Sequence, residues 1–344
     1  MKNQEQKNIL LALSTVHGIS DLIHKNLEHY GFNVINIARY DRKERPFEYP
    51  SIMDNIKVKF RKIFLKDKEA KLKLQSEILK KELVSLLGDN KVDYSLFFLA
   101  QCFSQDFLKY VKSRTKENGM INYQWDGMRR YPSVLDRLEV FDRCYVFDAD
   151  DLQLDPKLKS ITNFYFDYDL APLPCEYDFY FLGGHKSDRC ELMVNFAKYA
   201  EKMHWNINFN VVYDGNNQNL YPKNVTLLKP GETLSFEENL YMARKSKVLL
   251  DFVISDHKGL SLRVFEALGH NKKLITTNKE VKKYDFYHPN NIFILDNNFD
   301  DIQDFLAKPF ICIDQHIKEK YSFGNWIRYI LDITPHIPIN LPKE

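Results

Sequence analysis

Arg263 and Glu266 stand three residues apart in the run GLSLRVFEALG, just after a short polar loop that holds Gly259 and Ser261. At helical spacing the two side chains are neighbours on one face. Backbone N–H groups at a helix N-terminus, together with an arginine, suit a phosphate, and a glutamate suits the paired hydroxyls of a sugar. A nucleotide diphosphate-sugar presents both. A second run, FLGGHKSDR at 181–189, sets Gly183, Gly184, Lys186 and Arg189 in a loop behind another apolar stretch. Glycines there let backbone approach a ligand closely, and Lys186 or Arg189 can reach a phosphate. A plain strand-to-helix turn has the same appearance.

These residues need elements to position them. The pattern predicts a strand at 248–254, a helix at 262–268 closed by Gly269, and a strand at 273–277. Such a βαβ unit presents ligand groups at the carboxyl ends of its strands. The same alternation runs along the chain. Strands are expected at 8–14, 32–38, 92–100, 120–124 and 144–148, with helices at 19–30, over 51–87 as one or two pieces, and from the cap Ser104 to about 117. Residues 169–178, DLAPLPCEYD, have the composition of a linker. Beyond them, strands are expected at 177–182, 205–213, 225–228 and 292–295, with helices at 189–203, 299–306 and 317–331. Another helix should start at Ser235, which forms a capping box with Glu238. The expected fold is α/β: two doubly wound Rossmann-like domains, 1–170 and 171–330, facing across a cleft, with a tail at 331–344.

Composition agrees with this plan. A chain of 344 residues exceeds what one core usually fills. A net charge of +2 gives no case for nucleic acid as the main partner. Five cysteines, odd in number and without a C-x-x-C, suggest neither a disulfide framework nor a zinc site. No apolar run approaches twenty residues, so a cytoplasmic protein is expected. One segment allows peripheral contact with the inner face of a membrane. Residues 57–81 carry ten Lys or Arg against three acids, either as a solvated helix or as a basic amphipathic face for anionic lipid.

Taken together, residues 259–278, GLSLRVFEALGHNKKLITTN, resemble the donor-site motif of GT-B glycosyltransferases, especially bacterial enzymes of lipopolysaccharide and capsular polysaccharide biosynthesis. The loop at 181–189 resembles the glycine loop opening their C-terminal domain, and EKYSFGNWIRYIL at 319–331 resembles their closing tail. The likeness covers the second half by motif and the first by architecture. It departs at one point: retaining members carry E-x7-E, and the position eight before Glu266 is Lys258.

The resemblance implies a nucleotide-sugar donor held by 171–330 and a glycan or lipid-linked acceptor held by 1–170. It implies that Glu266 accepts the ribose hydroxyls and that Arg263 neutralises the pyrophosphate as the nucleotide leaves. Gly259 and Ser261 would admit phosphates to backbone amides, and Thr276 and Thr277 would contact the base. Transfer with inversion needs a general base, for which His17 and Asp126 are rival candidates. Arg129 and Arg130, with Tyr131, could bind an anionic acceptor; acid–base pairing at a helix start explains them equally. No metal or other cofactor is expected, because Asp148, Asp150 and Asp151 in FDADD have the character of first-turn acids. His257, His270 and His288 are expected at the surface. A sugar-nucleotide 2-epimerase would share this scaffold without needing an acceptor, and a non-catalytic nucleotide-binding assembly protein would share the cleft.

Overall fold

A computed structural model describes residues 6–14, 16–40, 45–217, 219–254, 258–296 and 298–342. The chain forms two compact units. One comprises Met1–Val146, Asp151–Lys159 and Ile330–Asp332, the other Phe147–Asp150, Ser160–Tyr329 and Ile333–Glu344. The second unit thus begins ahead of the stretch 169–178 and takes in most of the tail.

In the first unit, β1 (Asn8–Ser14) leads through α1 (Ile19–His29) to β2 (Asn33–Arg39), and Gly31 supplies the positive φ that the turn between them requires. The basic stretch folds as two helices, α2 (Ile52–Phe64) and α3 (Ala70–Leu87), the latter closed by Gly88 at φ +56. Then come β3 (Tyr94–Phe98), α4 (Gln105–Ser113), β4 (Met120–Gln124), β5 (Arg143–Val146) and β6 (Leu158–Ser160). Ser104 caps α4 by accepting from the Phe107 N–H at 3.3 Å. That helix ends at Ser113, short of the expected 117, because Thr115 turns inward: its hydroxyl bonds the Val111 carbonyl and the Ser95 hydroxyl, both at 2.7 Å. The strand order is β2-β1-β3-β4-β5-β6. Strands β1 and β3 are apolar almost throughout because helices cover both faces of a parallel sheet. Leu10, Ala12 and Phe97 accordingly lie fully buried in the core beneath α3 and α4.

The second unit repeats the scheme: β7 (Tyr177–Gly184), α5 (Ser187–Lys202), β8 (Ile207–Val212), β9 (Val225–Leu228), α6 (Phe236–Arg244), β10 (Ser246–Asp251), α7 (Leu262–Gly269), β11 (Lys273–Thr276) and β12 (Ile292–Ile294). The expected capping box of Ser235 and Glu238 starts α6. The sheet order is β12-β11-β10-β7-β8-β9. Both units are therefore doubly wound parallel α/β folds, as the alternation of elements predicts.

Three short helices close the unit, α8 (Ile302–Ala307), α9 (Gln315–Lys320) and α10 (Phe323–Leu331). The single terminal helix expected over 317–331 is thus two. It breaks where Tyr165 inserts a strand-like bridge, donating to the Tyr321 carbonyl at 3.0 Å and accepting from the Phe323 N–H at 2.9 Å. Trp326 donates from Nε1 to the Thr162 carbonyl at 3.1 Å, and Phe164 packs on both Phe323 and Trp326. Gly269 is not the stop for α7. It is the last helical residue, and Asn271 at φ +52 turns the chain. A β-carbon at Gly269 would lie 2.5 Å from the Tyr165 ring, so close packing fixes the glycine.

Candidate functional site

The order of the second sheet reverses between β7 and β10, and ligands of open α/β sheets bind outside the carboxyl ends of strands at such a point. Gly183 and Gly184, expected in a loop, are the last two residues of β7. A β-carbon on Gly183 would lie 2.7 Å from the Phe181 ring and 3.1 Å from Arg189 Nη2, whereas nothing in the protein lies within 4 Å of the same atom on Gly184. Gly183 makes room for Arg189. Gly184 faces open space.

Arg189, on α5, donates from Nη1 to the Phe252 carbonyl at 2.5 Å and from Nη2 to the Gly184 carbonyl, tying the ends of β7 and β10 together. Its Nε is buried and has no partner among the described residues. Burial pushes its pKa down; Asp251 and Asp188 oppose that, and the charge of Arg263 adds to it. The two guanidinium groups are thus near enough to repel.

Arg263 and Glu266 meet on one face of α7, as their spacing predicts: Arg263 Nε donates to Glu266 Oε2 at 2.9 Å. The glutamate is buried at 3% exposure, and that burial pushes its carboxyl pKa up against the pull of Arg263. Arg263 also donates from Nη2 to Asn239 Oδ1 at 3.1 Å and stacks 5.2 Å from the centre of the Tyr180 ring. The Tyr180 hydroxyl completes the set by donating to the same Asn239 oxygen at 3.0 Å. Arg263 Nη1 is left buried without a partner among the described residues. A buried donor left unpaired costs free energy, so two of them at one sheet edge call for an acceptor.

Asp251, at the end of β10, organises the rest. It accepts from the Ser261 hydroxyl at 2.8 Å and from the Thr276 hydroxyl at 2.7 Å. Ser261 therefore makes no side-chain cap on α7, and its carbonyl instead accepts from the Val264 N–H at 3.2 Å. The Thr277 hydroxyl accepts from the Val253 N–H at 2.9 Å, which fixes the turn after β11. Asp251 was not among the expected site residues. Its signal was an acid closing the apolar strand SKVLLD.

Gly259 has a different explanation from the one expected. A β-carbon there would collide with the ring and carbonyl of Phe147, so packing requires the glycine. The two residues line a pocket of 130 Å³ together with Asp150, Lys258, Glu280 and Tyr284. Lys186 is exposed where α5 begins. The acids of FDADD serve the local structure. Asp148 accepts from the Asp150 and Lys258 N–H groups at 3.0 and 2.9 Å, and Asp150 pairs with the Lys258 ammonium at 3.0 Å. No group of three or more metal-ligating side chains occurs among the described residues.

In the first unit, His17 follows β1 and Asp126 follows β4, both half-buried at the carboxyl edge of one sheet, with β3 between their strands. His17 adopts a left-handed backbone at φ 58, ψ 27. Arg129 and Arg130 are exposed, and Arg130 lies 5.4 Å from the centre of the Tyr131 ring. Sequence reasoning missed Gln101 and Gln124 at this edge. Both polar atoms of each amide are buried without a partner among the described residues. His257 lies outside the described residues. His270 is not a simple surface group: burial, with Arg244, Lys272 and Lys318 nearby, pushes its pKa down to about 4.

No family model and no curated protein matches the chain. Solved structures similar to it include a UDP-N-acetylglucosamine 2-epimerase at 11% identity and TM-score 0.49, over 95% of this chain and 96% of that one. They also include MurG of Acinetobacter baumannii at 12% identity and TM-score 0.35, over 78% of each chain. Likeness at these levels carries no inference about chemistry, which rests on the residues themselves.

Proposed function

We propose that the second unit binds the nucleotide diphosphate of a sugar nucleotide and that the protein transfers the sugar to a hydroxyl of a bacterial surface glycan or lipid-linked acceptor, as the GT-B enzymes its motifs resemble do. One observation carries this reading. Arg189 Nε and Arg263 Nη1 are buried, cationic and without partners among the described residues, at the edge where the sheet order reverses. A pyrophosphate supplies acceptor oxygens and two negative charges to such a pair, and charge-assisted bonds of this type are the strong ones. As the sugar departs, negative charge grows on the nucleotide, and a preformed pair of guanidinium groups stabilises it without reorganising.

Glu266 holds Arg263 in place as a buried counter-charge, and a ribose diol would meet whatever capacity its carboxylate retains. His17 and Asp126 remain rival bases, separable because replacing the true base removes one limb of the pH–rate profile. The test of the donor site is thermal stability against UDP, GDP, CMP, ADP and dTDP. A ligand at a hundred times its Kd stabilises by about 2.7 kcal/mol, which one nucleotide of the panel should do. No shift with any of them would sink the reading. The epimerase alternative is then decided by incubation with the sugar nucleotide alone, since epimerisation proceeds without an acceptor and transfer does not.

A further inference from the structure

We infer that α2 is the surface through which this protein rests on an anionic lipid bilayer. Seven of the thirteen large hydrophobic side chains exposed among the described residues fall within 52–65. Ile52 is 82% exposed, Ile63 and Phe64 69%, and Met53, Ile56 and Phe60 are each more than half exposed. Soluble proteins scatter such residues singly, and a contiguous patch marks an interaction site. At 3.6 residues per turn these six occupy roughly 120° of the helix circumference. Lys57 borders that arc on one side and Lys59 on the other. Only Val58, on the far side, is buried, so the helix is held to its unit by its back and presents the apolar arc outward.

The charge pattern selects the occupant. Lys57, Lys59 and Lys62 are exposed, and no acidic partner is found for them among the described residues. Two copies docked arc to arc would bring these cationic borders together, a like-charge juxtaposition that interfaces avoid. An anionic headgroup layer accepts both features, with the rings below the phosphates and the ammonium groups reaching up to them. Thirteen residues of helix span roughly 20 Å, too short for a hydrocarbon core of about 30 Å, so α2 lies in the interface and does not cross it. The basic run continues into α3, but three of the four cations there are engaged. Lys71 lies over Phe47, Lys80 over Tyr110, and Lys73 pairs with Asp67 at 3.1 Å. The membrane face is therefore narrower than 57–81 and begins earlier, at Ile52. It goes beyond the donor-site reading and stands without it.

The test is co-sedimentation of the full chain with vesicles of phosphatidylglycerol and phosphatidylcholine in equal parts, against vesicles of phosphatidylcholine alone. Two double variants are compared with wild type, Phe60→Ser with Ile63→Ser, and Lys57→Glu with Lys59→Glu. All four positions are exposed, so melting temperature should be retained. Wild type should partition at least tenfold better into the anionic vesicles, and each double variant should lose at least tenfold. Wild type that stays in the supernatant overturns the proposal, as does an apolar variant that partitions undiminished. So does a dimer in solution that the apolar variant abolishes while vesicle binding is absent throughout. Any of these results leaves nucleotide protection unaffected, so failure of the surface is distinguishable from failure of the donor site.

Discussion

The carboxyl edges of the two sheets carry arginines in opposite conditions. In the second unit the Arg263 side chain is 12% exposed, fixed by Glu266, Asn239 and Tyr180, and Arg189 is pinned to two backbone carbonyls. In the first unit Arg129 and Arg130 are exposed on a short turn. A buried guanidinium loses its hydration and keeps a partial charge deficit that only an anion or a counter-ion relieves. An exposed one is screened by water and salt and can steer an anionic molecule without holding it in one geometry. On the proposed reading the second edge is built before its ligand arrives, whereas Arg129 and Arg130 at the first are at most a docking surface.

The largest expected effect tests that distinction directly. Arg263→Leu leaves the buried Glu266 without its counter-charge and should cost about 3–5 kcal/mol in urea unfolding at neutral pH. Adding Glu266→Leu should restore most of the stability, because apolar replacement of a buried pair is often neutral. Nucleotide protection should be absent from both variants. If the double variant melts like wild type and is still protected, Arg263 is a structural ion pair and the donor-site reading loses its main support.

The second unit should also show how poorly it accepts a further cation in a buried place beside Arg244, Lys272 and Lys318, which Asp169 only partly offsets. His270 has a folded pKa near 4 against an ordinary value of 6.5, so the unfolded chain binds its proton first as pH falls. The stability of neutral His270 is fully present above about pH 6.5 and is lost as pH falls through about 4. With an allowance for partial solvent access this amounts to about 2–3 kcal/mol. His270→Gln should flatten the stability profile between those limits, and a profile parallel to wild type would show that the histidine is not the sensor.

Two glycines separate packing from ligand access within that unit. Gly259→Ala presses on Phe147 and should cost about 1–3 kcal/mol, as overpacking does. Gly184→Ala meets no protein atom and should leave stability within about 0.5 kcal/mol while raising the nucleotide Kd. A Gly184 variant with unchanged affinity would move the phosphates away from the end of β7.

Much of this was legible in the chain. Uniformly apolar strands such as NILLALS and YSLFF report burial on both faces, and the caps at Ser104 and Ser235 act within four residues. The Arg263–Glu266 pair is equally local. What stayed hidden depends on distant neighbours. Gly259 and Gly269 have the appearance of ligand loop and helix stop, yet their reasons are Phe147 and Tyr165, each more than 100 residues away in sequence. The burial of Glu266 was not legible, because Tyr180 and Asn239, which enclose its partner Arg263, come from β7 and α6. The apolar arc of α2 was masked by the lysines interleaved with it, since charge run and stripe overlap in sequence and separate only around the helix.

The smallest effects belong to the first edge. Arg129→Ala and Arg130→Ala, singly and together, should leave the melting temperature and nucleotide protection as in wild type, because both side chains are exposed. If they receive an anionic acceptor, the double variant should raise the acceptor KM several-fold at low salt with kcat unchanged. That difference should fade as added salt screens the wild-type attraction. A docking surface acts on encounter, so its signature is a salt-dependent KM, whereas a built site also loses kcat. An acceptor KM that is the same in wild type and double variant at every salt concentration removes these arginines from the acceptor side. Gln101 and Gln124, whose buried amides have no partner among the described residues, would then be the groups to replace at that edge.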